Sequence, residues 1–158
     1  MHLTGNVDLT LYGVETSQAK YLGLFKHDLR LPLEYADDAN AILVLKRCID
    51  SSEAIARALR AALIGIPCLA DSKAAEAVQR YYSECEKRFY SVCYNTSGTP
   101  LSKQALIDYV DDISGIAIAS FNAALSQVNL RSYEMAEAVK QQNYLYKAIN
   151  SKKKEARS

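Results

Sequence analysis

The sequence has no tryptophan and only two histidines, His2 and His27, among its 158 residues. Histidine is the commonest general base and metal ligand near neutral pH, so its scarcity closes most routes to catalysis. His2 lies at the terminus, and His27 stands in no H-E-x-x-H or H-x-x-E spacing. Serine chemistry lacks a G-x-S-x-G elbow, and a di-iron bundle would need Glu-x-x-His repeats that do not occur. Glycine is equally sparse. The six glycines, Gly5, Gly13, Gly23, Gly65, Gly98 and Gly115, are too scattered for a phosphate-cradling loop. These absences predict a protein that is not an enzyme, with no catalytic residue, no cofactor and no resident metal.

Four cysteines, Cys48, Cys68, Cys85 and Cys93, form no C-x-x-C pair. On one helix Cys85 and Cys93 would stand about 12 Å apart, beyond disulfide reach. Cysteine in a helical stripe reads as a small buried hydrophobe. The N-terminus shows no secretory leader pattern, so the expected setting is reducing and cytoplasmic. No apolar run approaches the roughly 18 residues of a membrane span, and the longest, residues 61–70, is broken by Gly65 and Pro67. A soluble protein without a membrane partner is expected. A formal net charge of +1 gives no long-range field of either sign, so any attraction to nucleic acid has to be local.

What is present is helical periodicity. With 49% apolar and 23% charged residues the composition is globular, and the length suits a single domain, residues 1–158. Only the first 35 residues read differently. Val7, Leu9 and Leu11 alternate with polar neighbours, as do Leu29, Leu31, Leu33 and Tyr35, which predicts two short strands with a weak helix over 17–27 between them. Pro32 confines the second strand to an edge. Such a ribbon must lie on its own core or pair with a strand of another chain.

Beyond residue 36 the pattern predicts a bundle to residue 150. Ile42, Leu45 and Ile49 share a face while Ala41, Leu43 and Val44 fill other sides, which suits a central helix. The polar stretch Asp50, Ser51, Ser52, Glu53 has capping-box spacing and leaves residues 36–66 readable as one helix or two. Residues 71–128 then form a helical hairpin around the breaker at 95–100. Its first stripe is Val78, Tyr81, Tyr82, Cys85, Phe89 and Val92; its second is Leu106, Val110, Ile113, Ala117, Ser120 and Ala124. A last helix repeats Met135, Ala138, Gln142, Leu145 and Ile149 in heptad-like steps. The predicted fold class is therefore all-α: a bundle of about five helices with a small N-terminal two-stranded β ribbon, closed by a frayed basic tail at 151–158.

Three groups of residues are candidates for function. Helix geometry puts Asp108 with Asp111, or Asp108 with Asp112, on one face, a pair that could bind a divalent cation or serve acid-base chemistry, although negative charge early in a helix needs no such role. Lys147, Lys152, Lys153, Lys154 and Arg157 form a basic end that could contact phosphates, with Arg57 and Arg60 as further candidates on an earlier helix. Sequence-specific DNA reading is disfavoured because no lysine or arginine lies between Lys103 and Arg131. Eleven tyrosines are the compositional oddity. Tyr81, Tyr82, Tyr90, Tyr94, Tyr144 and Tyr146 point too many ways to enter one core, and tyrosine suits protein contacts. The expected function is that of a non-enzymatic structural or adaptor protein whose partner is a protein, foremost another copy of itself, met through tyrosine-bearing helix faces or the N-terminal strands. The alternative is a nucleic-acid-associated protein using the basic end.

Overall fold

A computed structural model describes residues 38–94 and 103–158, with side chains from residue 46 to 89 and from 103 onward. The expected ribbon, the weak helix at 17–27 and the breaker at 95–100 lie outside the described residues. Among those described there are four α-helices and no strand: α1 (Asp38–Ile64), α2 (Ser72–Tyr94), α3 (Lys103–Leu125) and α4 (Ser132–Arg157), with a 3-10 turn at Pro67–Leu69 after α1.

The α1 helix passes through the Asp50 to Glu53 stretch without a break. Ser52 does not cap there. Its side chain is buried inside the bundle, and its hydroxyl donates to the Cys48 carbonyl one turn back at 3.0 Å. Cys48, Ile49, Ile55, Ala56, Leu59, Ala62 and Leu63 are buried around the same helix, as a central helix requires. Gly65 and Pro67 end it. The Ile66 N–H reaches back to Leu63 and the Leu69 N–H to Ile66, a tightening that drives Leu69 into the core. The Asp71 carbonyl then accepts the first helical bond of α2 from Ala75 at 3.2 Å.

Helix α2 buries Ala74, Ala77, Val78, Tyr81, Cys85 and Phe89, spaced by three and four. Its acidic residues pair at i, i+3, Glu76 with Lys73 and Glu84 with Lys87, and not with the arginines one turn on. Helix α3 is the most apolar, burying Leu106, Tyr109, Val110, Ile113, Ala117, Phe121 and Ala124 together with Ser114 and Ser120. Gly115 is exposed, and a Cβ added there would meet no neighbouring helix within 4 Å.

Consecutive helices joined by short connections pack antiparallel. Helices α1 and α3 form the central diagonal, each packed on the other three helices, with α2 and α4 on opposite flanks. Helix α4 is the thinnest contributor, burying Ala138, Leu145, Ile149 and Ala156. Its heptad-like stripe is therefore only half used: Met135 is 52% exposed. The basic end is not a frayed tail. Helix α4 continues to Arg157, with Ala156 buried and Asp111 of α3 pairing with Lys153 and Arg157.

Candidate contact surface on α4

The tyrosines divide into core and surface. Tyr81, expected at an interface, is fully buried, and so is Tyr109. The Tyr81 hydroxyl donates to the Ser52 carbonyl at 3.3 Å, and the Tyr109 hydroxyl meets the Ser52 side chain. Because the Ser52 proton is committed to Cys48, Tyr109 is the donor in that contact. Cys85 completes the knot beside Tyr81, and burial pushes its thiol up to about 12. Burial likewise raises the Tyr81 phenol well above its usual range, with Cys85 and Tyr109 adding to the effect. A group that holds its proton this firmly is a poor nucleophile or base, so the knot fixes the register of α1, α2 and α3 and offers no chemistry. Tyr82 is half-buried against Tyr81, with ring centroids 6.1 Å apart. Tyr90 and Tyr94 lie on the last turn of α2, and their side chains lie outside the described residues.

The acidic candidates serve α4. Asp111 receives Arg157 at 3.3 Å and Lys153 at 3.6 Å, and Asp108 accepts from the Gln104 amide at 2.9 Å. Among the described residues no grouping of three or more His, Cys, Asp or Glu side chains is arranged to hold a metal ion. Exposed Cys68 sits beside Glu134; desolvation and then the Glu134 hydrogen bond and charge raise its pKa, which disfavours the thiolate.

The basic candidates also divide. Lys152 pairs with Glu155 at 3.0 Å, and Lys153 and Arg157 are held by Asp111. Lys147 and Lys154 are exposed and enter no ion pair among the described residues. Of the arginines proposed on α1, Arg57 pairs with Glu53 at 3.3 Å, and Arg60 is exposed.

What remains uncovered is α4 itself. Of six large apolar side chains exposed among the described residues, five are on this helix: Tyr133, Met135, Val139, Tyr144 and Tyr146. Met135, Val139, Gln142 and Tyr146 follow steps of four, three and four, so they share one stripe. Its first part borders an open groove of about 460 Å³ whose other wall is Leu125, Val128 and Leu130 at the end of α3. The polar rim, Asn122, Ser126, Asn129 and Gln142, carries no charge. Tyr144 and Tyr146 were expected at a surface and are 50% and 38% exposed; Met135, Val139 and Tyr133 were missed. Met135 was assigned inward by period alone.

Residues 2–119 match the family model of the CRISPR-associated protein Cse1. The chain belongs to this family. The match takes in α1, α2 and most of α3, while α4 follows it in sequence. No curated protein and no solved structure matches this Cse1-family chain. Among its described residues no helix is long and apolar enough to cross a membrane.

Proposed function

We propose that this Cse1-family chain is a non-enzymatic contact subunit of a CRISPR-associated, nucleic-acid-binding assembly in the cytoplasm, and that it docks on a protein neighbour through the apolar side of α4. Family membership supports the assembly. The observation that carries the docking is the exposed stripe of Met135, Val139 and Tyr146 beside the groove at the end of α3. Exposed aromatic and methionine side chains on a rigid helix, with an uncharged polar rim, have the composition of an interface centre. The same stripe suits a second copy of the chain, since none of its four residues is charged, and self-association is the narrower form of this reading.

The experiment is co-expression of the tagged full-length chain with the other subunits of the CRISPR-associated assembly from its host, followed by purification and mass measurement. The intact chain is expected to retain protein subunits. A Met135→Lys/Val139→Glu variant, which removes no core contact and should keep its melting temperature, loses them. Recovery of the intact chain without any subunit overturns the reading. Light scattering of the chain alone separates the self-association form: a monomer at micromolar concentration removes it.

A further inference from the structure

Val139 and Tyr146 also belong to a second pattern on α4, one with a seven-residue period. With Ala136, Asn143 and Asn150 they alternate by three and four residues, the spacing of the a and d positions of a coiled-coil seam, over about 21 Å of helix. All five are exposed, Val139 by 53% and Tyr146 by 38%. Lys140, Lys147 and Lys154 run alongside at the flanking e positions, one every seven residues or about 10.5 Å. These lysines are exposed, and none enters an ion pair among the described residues. The other flank holds Met135 and Gln142, at the g positions, and beyond them the uncharged groove at the end of α3. The acids of α4 are engaged away from the seam: Glu134 accepts from the Arg131 backbone N–H, Glu137 accepts from the Gln141 amide, and Glu155 pairs with Lys152. One edge of the face is therefore cationic and the other neutral.

We propose that this face of α4 docks an amphipathic α-helix of a different protein subunit, one with apolar residues toward the seam and Asp or Glu every seven residues along one edge. The inference rests on the protein-docking reading and gives its occupant a chemistry. A helix brings its side chains round on the same repeat of about 10.5 Å, so one acidic position per heptad meets all three lysines at once. An extended strand repeats a face about every 6.5 to 7 Å and falls out of step at Lys147. The small side chains of Ala136, Asn143 and Asn150 let a second helix axis come close, and asparagine within a seam fixes register. A second copy of this chain is the poorer occupant. Run antiparallel, it sets its own lysine row against this one; run parallel, it offers the lysines Met135 and Gln142. Neither orientation supplies an acid, and like charges across an interface repel. The lysine row therefore favours an unlike subunit and sets its orientation, while the seam holds it.

The test uses the full-length chain co-expressed with the other subunits and purified after nuclease treatment, with the photo-crosslinking residue p-benzoylphenylalanine in place of Asn143. The crosslinked segment is expected to be a helix of another subunit with Asp or Glu at seven-residue spacing. A Lys140→Glu/Lys147→Glu/Lys154→Glu variant should bind that subunit more than tenfold more weakly, and lysines placed at the mapped acidic positions should restore binding. Affinity of the parent chain should fall several-fold between about 50 and about 500 mM salt. Lys152→Gln, on the opposite side of α4 and already paired with Glu155, should leave binding unchanged. Circular dichroism confirms that each variant is folded before binding is read. A crosslink to a segment without the acidic repeat, a crosslink to a second copy of the chain, or indifference to the charge reversal overturns the proposal. Its failure is distinguishable from failure of the docking reading. If the Met135→Lys/Val139→Glu variant loses the subunit while the triple lysine variant keeps it, docking stands and the acidic helix falls; if both variants keep it, docking through this side of α4 falls as well.

Discussion

The hydroxyls of Ser52 and Tyr109, 57 residues apart in sequence, meet inside the bundle where α1 crosses α3. Ser52 accepts from Tyr109 while donating to Cys48, and its own carbonyl accepts from Tyr81. One small residue thereby links three helices through groups that would otherwise be costly to bury. Ser52→Ala is expected to destabilise the fold by about 1–3 kcal/mol, because the Tyr109 hydroxyl loses a buried acceptor. Tyr109→Phe, which removes a donor and leaves Ser52 bonded to Cys48, should cost about 1 kcal/mol. Urea denaturation of both variants checks the order, and a neutral Ser52→Ala would show that the knot contributes nothing.

The same knot sets an alkaline limit. Cys85 has an ordinary value of 9.0 that burial pushes up to about 12 in the folded chain. Below pH 9 the thiol is protonated folded or unfolded, and its contribution is fully present. Above pH 9 the unfolded chain releases the proton while the folded chain keeps it, so stability falls as pH rises toward the folded value. The slope is about 1.4 kcal/mol per pH unit for one such group. Tyr81, raised from 10.0 by burial first, joins from pH 10 upward. Guanidinium denaturation at pH 8, 9, 10 and 10.5 should show this loss, and Cys85→Ala should flatten it between pH 9 and 10.

Helix periods exposed most of this architecture to sequence reasoning, because period reports which residues can share a face. Val78, Tyr81, Cys85, Phe89, Leu106, Val110 and Ile113 are buried as their spacing implies. Period does not report whether a face has a partner. Met135 obeys the same spacing as Ala138 and Leu145 yet stays exposed. Nor does composition distinguish a free lysine from an engaged one: Lys153 and Lys154 are adjacent in sequence, and only the first reaches Asp111. The polar run at residues 50–53 resembled a helix start because a buried serine bonded to the preceding turn has the same local pattern as a cap. What separates the two is Tyr109, which lies far away in sequence.

Asp111 is the anchor of the α4 end, yet its pairs are half-exposed, with Arg157 and Asp111 side chains 53% and 40% accessible. Pairs of this kind contribute little globally because water screens them and two long side chains must be ordered. Asp111→Ala should therefore lower global stability by no more than about 1 kcal/mol. Its local effect should be larger. Amide hydrogen exchange at 152–157 is expected to quicken in the variant and, in the parent chain, to quicken with added salt. Unchanged exchange would show that burial of Ala156 alone holds the last turn.

Gly65 marks the close approach of α4 to the end of α1. A Cβ at this position would meet the Gln141 side-chain amide at 2.4 to 2.8 Å, inside contact distance. The obstacle is the far end of a flexible side chain, so Gln141 can turn aside at the expense of its hydrogen bond to Glu137. Gly65→Ala should therefore cost less than about 1 kcal/mol, offset in part by a less flexible unfolded chain. Gly65→Leu has nowhere to put its branched end short of moving α4, and overpacking of that kind costs about 1–3 kcal/mol. Thermal melts of the two variants, with Gly65→Ala/Gln141→Ala as a third, separate the causes. If Gln141 is the obstacle, its removal restores the Gly65→Ala variant. If the pair of substitutions is no better than the single one, the glycine is needed for the turn into Pro67 and not for the helix contact.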